Sequence, residues 1–475
     1  MKRICCLLAL AWLLALPAPA QYAQPELFEL RGRAADPGGA PLRGVELTLK
    51  MEGREDRVLV TDEGGRFLFE GLHPGPYRLI IKTPWSTFEH SAVLGPETAQ
   101  NRLVIECAFQ GPGVVRTVRP TATMAPPDLN PDKGYAEVEV FYGTDREWLR
   151  DKPIEERFGP MRMGAEMEGL HRGVCKVSVP RDHRMGEIER PSIWKLEFEP
   201  DPRKHMVLLG LEELSPNSFY GRLQGTLGKS QAKELLVFVH GYNVNFHDAV
   251  LRTAQLAYDL GLDGAPVLYS WPSRASLADY TRDEATIGAS VFSLEPFLRE
   301  LAGRSGARSI YLVAHSIGNR ALTRALERIA LGMREGAKPM FSEIILTAPD
   351  IDAREFTNLA RTFRRAGERV TLYASSKDGA LKASKEVHGF ARAGDTDPEV
   401  LVLSGIDTVD VSQVDTSLLG HSYFGDNCSV IADMKNLLRA RKPPHERAPL
   451  TKKEKRPGLL YWVFPAGGNC LPPSG

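Results

Sequence analysis

Ser316 stands in the sequence pattern of a nucleophile elbow. The run at 311–320, YLVAHSIGNR, begins as an apolar strand-like segment and continues as a helix-like one. Ala314 and Gly318 lie two positions on either side of Ser316, and such small residues let a strand and a helix approach closely at a tight turn. The turn exposes the serine hydroxyl at the end of a sheet. Because a serine hydroxyl alone is a weak nucleophile, the chain must also supply a base and an acid.

Two later residues could serve as the acid and the base. Asp378 follows the apolar run VTLYASS, and His421 follows EVLVLSG, the last predicted strand. The chain order serine, aspartate, histidine is the order found in the α/β-hydrolase fold. In such a triad His421 would take the proton of Ser316 and later return it to the leaving group. Asp378 would accept the other imidazole N–H and stabilise the imidazolium.

A second aspartate competes for the role of the acid. Asp350 follows the strand run EIILTAPD, one strand earlier than Asp378. Asp378 is favoured because the acid of this fold usually follows the later strand. Asp350 and its neighbour Asp352 could instead cap the helix predicted to start near Ala353, since aspartate is a common N-cap residue.

The oxyanion formed in acyl transfer needs preorganised hydrogen-bond donors. The backbone N–H of Ile317, directly after the serine, is one candidate donor. The second is the backbone N–H of Tyr242, in the loop that follows the strand run LLVFVHG. We expect His240 to orient this loop and His315 to pack beside the elbow. Trp271 could either line the cleft or pack in the core.

Six near-continuous apolar runs from Leu235 onward predict the strands that position these residues. They are LLVFVHG, PVLYSWP, SIYLVAHS, EIILTAPD, VTLYASS and EVLVLSG, and most are separated by helix-like segments at 245–260, 294–302, 320–331 and 353–366. Strands that are apolar on both faces are typical of a parallel sheet covered by helices. Earlier strands at 136–142 and 174–179 would open the sheet in antiparallel pairing. The expected fold is a mostly parallel, doubly wound α/β-hydrolase sheet whose functional groups gather at the carboxyl ends of its strands.

The part of the chain before this sheet has a different pattern, and 475 residues are enough for two domains. Residues 25–110 contain short alternating strands broken by turn residues, which predict a small all-β sandwich. Residues 111–134 are rich in Pro, Thr and Gly and predict an extended linker. The hydrolase domain would occupy 135–440, and 441–475 would form a C-terminal extension along the surface.

The first residues predict export. Lys2 and Arg3 precede a short apolar run, and an Ala-Pro-Ala sequence at 18–20 matches a signal cleavage site, so we interpret residues 1–20 as a secretory signal peptide. No stretch reaches the roughly 20 apolar residues that a membrane-spanning helix needs. We therefore expect an exported protein without a transmembrane span, in the periplasm or outside the cell.

Four cysteines remain after removal of the signal peptide: Cys107, Cys175, Cys428 and Cys470. An oxidising compartment permits disulfides, and four cysteines allow three pairings. A Cys428–Cys470 bridge would hold the C-terminal tail, and a Cys107–Cys175 bridge would join the two domains. Both pairings are hypotheses.

The overall composition argues against several kinds of ligand. Lys and Arg together number 60, and so do Asp and Glu, so the charge indicates neither nucleic acid nor an anionic membrane surface as a partner. The sequence also lacks HExxH, paired CxxC, phosphate-loop and dinucleotide-binding patterns. We expect neither a metal nor a cofactor.

Seven short runs between 137 and 438 resemble the α/β-hydrolases of the family once catalogued as domain of unknown function 900. They are VFYGTDR, LVFVHGYNVNF, YSWPS, VAHSIGNRAL, TAPDID, LYASSKD and GHSYF. This resemblance implies a serine hydrolase fold and leaves the substrate open. The runs GRAADPGGAPLRGVELTL and TDEGGRFLFEGLHPGPYRLII resemble the carboxypeptidase regulatory-like domain, an immunoglobulin-like sandwich that is attached to many unrelated partners.

The residues and the resemblance together predict an exported serine hydrolase. Ester hydrolysis through an acyl-enzyme is the first expectation. The substrate would be a small or extended ester, because a single helix separates Asp352 from Val370 and leaves no room for a large cap. Amide or peptide cleavage would use the same triad. The non-catalytic alternative is an envelope-binding scaffold whose sandwich docks a protein or the envelope, and the retention of all three triad residues weighs against it.

Overall fold

The structure is a computed structural model, and it describes residues 28–35, 44–51, 54–62, 66–73, 75–82, 87–94, 105–106, 129–130, 133–164, 169–191, 199–274, 280–414 and 423–465. The predicted signal peptide, most of the predicted linker and His421 lie outside these ranges. The chain divides near residue 120 into two compact units. Each unit is described by itself.

The N-terminal unit is a sandwich of two small sheets. Its strands are β1 (Phe28–Ala35), β2 (Glu46–Lys50), β3 (Arg57–Val60), β4 (Arg66–Leu72), β5 (Gly75–Lys82), β6 (Thr87–Leu94) and β7 (Ile105–Glu106). One sheet has the order β4-β1-β7 and the other β3-β2-β5-β6. Every second side chain of a strand lies on the same face, and apolar residues of both sheets, such as Leu47 and Phe67, form one core. The predicted all-β region is confirmed.

The second unit is built on a sheet that joins twelve of the described strands. Its order is β13-β12-β9-β15-β14-β16-β17-β18-β19-β21-β20, and β8 pairs with β9. The strands from β8 onward are β8 (Leu129–Asn130), β9 (Tyr135–Thr144), β10 (Arg146–Trp148), β11 (Phe158–Arg162), β12 (His171–Pro180), β13 (Leu208–Glu213), β14 (Glu234–Val239), β15 (Gly264–Ser270), β16 (Ser309–His315), β17 (Phe341–Thr347), β18 (Gly367–Ala374), β19 (Asp407–Asp410), β20 (Thr451–Arg456) and β21 (Leu459–Val463). Strands β14 to β19 pair in parallel, as their apolar runs predict.

Helices cover this sheet on both faces. They are α1 (Pro216–Lys229), α2 (Phe246–Asp259), α3 (Tyr280–Arg304), α4 (Gly318–Leu331), α5 (Ala353–Phe363), α6 (Gly379–His388), α7 (Tyr423–Asp426) and α8 (Cys428–Arg439), with 3-10 turns at Ile154–Glu156, Arg364–Ala366 and Pro444–Glu446. Helices α1, α3, α4 and α5 share one buried core, and α2, α6 and α8 contribute to a second. The α/β-hydrolase fold is therefore confirmed. None of the helices in the described ranges is long and apolar enough to cross a membrane.

Side-chain caps fix where the helices around the strand ends begin. Asn245 caps α2, Asp352 caps α5 and Asp378 caps α6, each through a side-chain oxygen that accepts a backbone N–H of the first turn. These caps satisfy amides that have no partner within the helix. They also set the points at which the chain leaves the carboxyl edge of the sheet.

Two predictions about the end of the sheet were wrong. The apolar run EVLVLSG, at 399–405, is not a strand: Val402 is buried and Leu401 packs on the core without strand pairing, and the strand β19 begins only at Asp407. The tail is also more than a surface extension. Strand β21 pairs in parallel with β19, and β20 pairs with β21 at the edge of the sheet.

The structure separates the two disulfide hypotheses. Cys175 is a free, fully buried thiol in β12, so the predicted Cys107–Cys175 bridge is wrong. Its side chain belongs to the core between β9 and α2. Cys428, at the start of α8, is disulfide-bonded. Its predicted partner Cys470 lies outside the described ranges, so that pairing stays a prediction.

A buried histidine ties the loop after β12 to α2. His183 Nδ1 lies 3.0 Å from the Glu189 carboxylate, and Nε2 lies 3.0 Å from Asp259 Oδ1. Asp259 also accepts the backbone N–H of Gly186 at 2.8 Å. Burial lowers the pKa of His183, but the hydrogen bonds and charges of Asp259 and Glu189 outweigh burial and raise this pKa to about 9. At neutral pH His183 is therefore an imidazolium held between the carboxylates of Glu189 and Asp259. We call these three side chains the His183 clamp.

This clamp predicts a loss of stability in alkaline solution. The unfolded chain releases the His183 proton near pH 6.5, whereas the folded protein keeps it up to about pH 9. The contribution is thus fully present below about pH 6.5 and is lost as the pH rises through about 9. We expect the free energy of unfolding by urea to fall by roughly 3 kcal/mol between those limits. In His183→Gln this decrease should disappear, and an unchanged pH dependence in the variant would contradict the assignment.

Candidate active site

Ser316 forms the turn between β16 and α4. Its φ is +54°, a region that a residue with a side chain rarely adopts. Three neighbours hold this backbone: the Ser316 N–H donates to Thr347 O at 3.0 Å, and Ser316 O accepts from Asn319 N at 3.1 Å and Asp350 N at 3.3 Å. Asn319 Nδ2 also donates to Ser316 O at 2.9 Å. The sequence pattern predicts Ser316 on a tight turn at the end of the sheet. The structure shows this turn with a strained backbone that its neighbours hold in place.

Two glycines let the loop after β14 lie against the elbow. A β-carbon on Gly318 would come within 2.4 Å of His240 O. A β-carbon on Gly241 would come within 3.0 Å of Ser316 Cβ and 2.6 Å of His315 Nδ1. Each position has a contact too short for a β-carbon, so the approach of this loop to the serine requires glycine at both positions.

The two predicted oxyanion donors follow neighbouring strands. Ile317 comes directly before the first residue of α4, and among the described residues its N–H has no hydrogen-bond partner. Tyr242 lies in the loop after β14, next to Asn243, whose φ is +58°. Val239 and Ala314 are paired in the ladder between β14 and β16, so both loops start at the same level of the sheet.

The uncertain roles of His240 and Trp271 are decided by burial. Trp271 is fully buried and its Nε1–H donates to His240 O at 2.8 Å, so it packs and does not line the cleft. The two rings stack with centroids 5.3 Å apart. Burial, together with the nearby charge of Arg146, lowers the pKa of His240 to about 3, so the imidazole is neutral at ordinary pH. His240 therefore supports the loop and cannot act as a general base for Ser316.

His315, directly before Ser316 in the chain, has a packing role as predicted. Its ring stacks on Phe424 with centroids 4.4 Å apart, and Phe424 also stacks on Phe238 of β14. Phe424 follows His421 by three positions. The structure therefore anchors the chain directly after the predicted base on the residue next to Ser316. His421 itself lies outside the described ranges.

The two candidate acids have different environments. Asp378 follows β18, is almost fully buried, and accepts Leu381 N at 3.0 Å through Oδ1 as the cap of α6. Because a carboxylate accepts hydrogen bonds at both oxygens, this cap leaves the chemistry of a triad acid available to Asp378.

Asp350, which follows β17, belongs to a cluster of arginines. Its Oδ1 accepts the Ser384 hydroxyl at 2.7 Å and lies 3.3 Å from Arg392 Nε and 3.8 Å from Arg320 Nη2. Arg320 Nε also donates to the Asp350 carbonyl at 2.6 Å. Asp350 does not cap α5, since Asp352 alone takes that role. Its carboxylate compensates the buried guanidinium of Arg392 and the half-buried one of Arg320.

A cleft of about 450 Å³ opens beside the start of α4. It is lined by Arg320, Asp352, Arg354, Glu355, His388, Phe390 and Arg392. Phe390 is 64% exposed and forms an apolar patch in an otherwise charged wall. Arg320 connects this cleft to the elbow through the Asp350 carbonyl. In the described ranges no three His, Cys, Asp or Glu side chains are grouped so as to hold a metal ion.

Arg146, at the start of β10, is a buried residue of the site that the sequence interpretation assigned no role. It is 1% exposed and its Nη2 lies 3.5 Å from His240 Nε2. A charged side chain directly after a long apolar strand was the available signal, since such a position places charge in the interior.

Comparison with known proteins gives the family of this site. Residues 215–441 match the family described as "Alpha/beta hydrolase of unknown function (DUF900)", and residues 29–103 match the "Carboxypeptidase regulatory-like domain". The chain carries a DUF900 α/β-hydrolase domain. The match begins with α1 and ends just after α8, so it includes Ser316, Asp350 and Asp378.

Individual proteins that are similar to this chain are distant. The "Uncharacterized protein alr1448" of Nostoc sp. (strain PCC 7120 / SAG 25.82 / UTEX 2576) is 25% identical over 213 residues, 33% of this chain, and the chain spans 56% of that protein's length. Phospholipase PlaB from Legionella pneumophila in complex with thio-NAD is 16% identical, with 49% of this chain and 50% of that chain covered and a TM-score of 0.21. Pyrococcus horikoshii acylaminoacyl peptidase is 10% identical, with 83% and 79% covered and a TM-score of 0.25. Both TM-scores lie below 0.5, so neither likeness supports an argument.

The contacts of Gly318 predict that the DUF900 domain does not tolerate a methyl group there. In Gly318→Ala the new carbon would lie 2.4 Å from His240 O, so the elbow or the β14 loop must move. We expect the free energy of unfolding to fall by about 1–3 kcal/mol, because inserting a methyl group into a closely packed site forces shifts of about that cost. Gly225→Ala is the matched control. Gly225 is exposed in α1 with no atom near its β-carbon position, so alanine should instead stabilise the protein by up to about 1 kcal/mol. Equal free energies of unfolding in the two variants would contradict the prediction.

Proposed function

We propose that this protein is a serine hydrolase that cleaves carboxylic esters through Ser316, His421 and Asp378. The observation that carries the proposal is the conformation of Ser316. A serine with a φ of +54° at the carboxyl end of a central parallel strand, in an α/β-hydrolase domain, has the backbone of a nucleophile elbow. Strained backbone of this kind costs about 1–3 kcal/mol and is concentrated at functional sites.

The chemistry would proceed in two steps. Ser316 Oγ attacks the carbonyl carbon of the ester while His421 takes the hydroxyl proton. The N–H groups of Ile317 and Tyr242 stabilise the oxyanion, and the alcohol leaves with the proton from His421. Water then attacks the acyl-enzyme, again with His421 as the base, and releases the acid. Asp378 fixes the imidazole tautomer in both steps.

Chain geometry supports His421 as the base. It precedes Phe424 by three positions, and three residues span at most about 11 Å when fully extended. Phe424 stacks on His315, the residue directly before Ser316. This closeness in the chain to a residue packed beside Ser316 supports His421 as the base of the proposed triad.

The arginine cluster supports Asp378 as the acid. Asp350 already compensates Arg320 and Arg392, and a neighbouring cation makes a carboxylate a weaker partner for an imidazolium. Asp378 follows β18, the strand beside β17, where the fold usually places the acid.

The short connection between β17 and β18 supports a small or extended substrate. It consists of α5 and one 3-10 turn, so no large cap is inserted between these two strands. We infer that small or extended, water-soluble esters are preferred over long-chain lipids.

Export and docking complete the proposal. The predicted signal peptide would place the enzyme in the periplasm or outside the cell. There the sandwich would hold it to a protein or to the envelope, as the sequence expectations suggest. Both statements are independent of the catalytic proposal and are tested by cell fractionation with and without residues 25–110.

The catalytic proposal predicts hydrolysis of simple esters. We expect the wild type to cleave p-nitrophenyl acetate and butyrate faster than the palmitate, and to cleave the matching anilides more slowly. Ser316→Ala should lose about 10³-fold or more in kcat, because the covalent route is removed. The free energy of unfolding of the variant serves as the folding control. A wild type that cleaves neither ester nor anilide would favour the scaffold alternative, and faster anilide cleavage would favour an amidase or peptidase.

The two aspartates predict opposite phenotypes. Asp378→Asn should lower kcat by about 10²–10⁴-fold with little change in stability, because it removes the group that fixes the imidazole tautomer. Asp350→Asn should lower the free energy of unfolding by about 3–5 kcal/mol, because it removes the carboxylate that lies 3.3 Å from the buried Arg392. Its kcat per folded molecule should stay within about 10-fold of the wild type. The reverse pattern would assign the acid to Asp350.

A further inference from the structure

Arg146 lies in the interior directly behind the loop that carries Tyr242. Its guanidinium makes four hydrogen bonds: Nε to Ser270 Oγ at 2.9 Å, Nη1 to Gly159 O at 3.1 Å and to Ser273 O at 3.0 Å, and Nη2 to Val244 O at 2.8 Å. A buried charge is costly unless it is fully hydrogen-bonded. The side chain is therefore held firmly in one orientation.

The partners of Arg146 are unusual for a buried arginine. Among the described residues no carboxylate oxygen lies within 4.0 Å of its guanidinium, and three of its acceptors are backbone carbonyls. Arg447, on the other side of the sheet, is equally buried but pairs with Asp433 at 3.0 Å. Arg146 thus holds backbone in place, whereas Arg447 compensates a charge.

The three carbonyls belong to three different segments. Gly159 lies in β11, Ser273 lies in the loop after β15, and Val244 lies in the loop after β14, two residues beyond Tyr242. Nη2 also lies 3.5 Å from His240 Nε2, at the start of the same loop. The guanidinium therefore contacts the Tyr242 loop on both sides of the proposed oxyanion donor.

We propose that Arg146 is a positioning residue that holds the 241–245 loop so that the Tyr242 amide faces the developing oxyanion. The inference rests on the proposed serine hydrolase function and extends it to a group that does not touch the substrate. Its physical basis is preorganisation: an amide lowers the barrier only when it already points to where the negative charge appears. A loop released from the guanidinium must be ordered again in every turnover.

Lysine cannot replace this group. The guanidinium presents five N–H donors in a rigid planar fork, whereas an ammonium presents three donors around one point. Arg146→Lys keeps the positive charge but cannot reach Ser270, Gly159, Ser273 and Val244 together. The substitution therefore separates the geometry of the arginine from its charge.

The test compares Arg146→Lys with Arg447→Lys, a matched replacement of a buried arginine away from the loop. Four quantities are measured for each full-length variant: kcat, KM for p-nitrophenyl acetate, the inhibition constant of a trifluoromethyl ketone, and the free energy of unfolding. The ketone forms a tetrahedral adduct with the serine, so its oxyanion occupies the proposed site. Arg146→Ala is assayed with and without millimolar methylguanidinium.

We expect Arg146→Lys to lower kcat by about 10–10²-fold and to leave KM within about twofold of the wild type. The inhibition constant of the ketone should rise by the same factor by which kcat falls. Arg447→Lys should lose stability with kcat unchanged. Methylguanidinium should restore part of the activity of Arg146→Ala.

Three results would overturn the inference. The first is a kcat of Arg146→Lys within twofold of the wild type, and the second is an equal loss of kcat in Arg447→Lys. The third is a higher KM with an unchanged inhibition constant of the ketone. If the wild type hydrolyses no ester, the proposed function fails and this inference fails with it. The three results above would instead overturn the inference while the wild type is active, so the two kinds of failure can be told apart.

Discussion

The backbone of Ser316 must be held in a conformation that it would not adopt alone. A φ of +54° brings a β-carbon close to backbone atoms, and the cost is about 1–3 kcal/mol. Hydrogen bonds to Thr347, Asn319 and Asp350 stabilise this turn from β17 and from α4. The parallel ladder of β14, β16 and β17 supplies the rigid frame, so the strain is supported by the centre of the sheet. The loops that complete the site are arranged around this one residue.

Charge is distributed around the elbow according to what each group must do. Arg392 and Arg320 lie beside Asp350, which makes that carboxylate part of the scaffold. Burial and the charge of Arg146 lower the pKa of His240 to about 3, so this imidazole stays neutral at ordinary pH. The proposed proton transfers are thereby left to His421. This separation of structural from reactive charge is what a general base working at neutral pH requires.

The sequence predicted the parts of the molecule in which local pattern and tertiary structure agree. The apolar run before Ser316 pairs on both sides, and the helix predicted at 245–260 begins at Phe246, so apolar periodicity was sufficient there. Periodicity was insufficient at 399–405, because an apolar run packs on a core equally well with or without strand pairing. Strand β21 was missed because the residues of β19 with which it pairs lie more than fifty positions earlier in the chain. Long-range pairing of this kind leaves no local signature.

The sequence indicated candidate residues for the site but not all of the residues that support them. Ser316, Asp378 and the Tyr242 loop follow three strands that the structure places side by side or one apart. The role of Arg146 could not be derived from the sequence, since its acceptors are backbone carbonyls, which every residue has. Burial of Trp271 likewise follows from the stack with His240 and not from its own position in the chain.

The most direct test of the central claim is a covalent one. The folded protein is treated with a fluorophosphonate, digested with trypsin and mapped by fragment-ion mass spectrometry. Formation of the phosphonate ester releases fluoride and requires a serine activated by a base. The account predicts one phosphonyl group per chain, on Ser316 within the peptide at 309–320. No adduct, or an adduct on another residue, would contradict it.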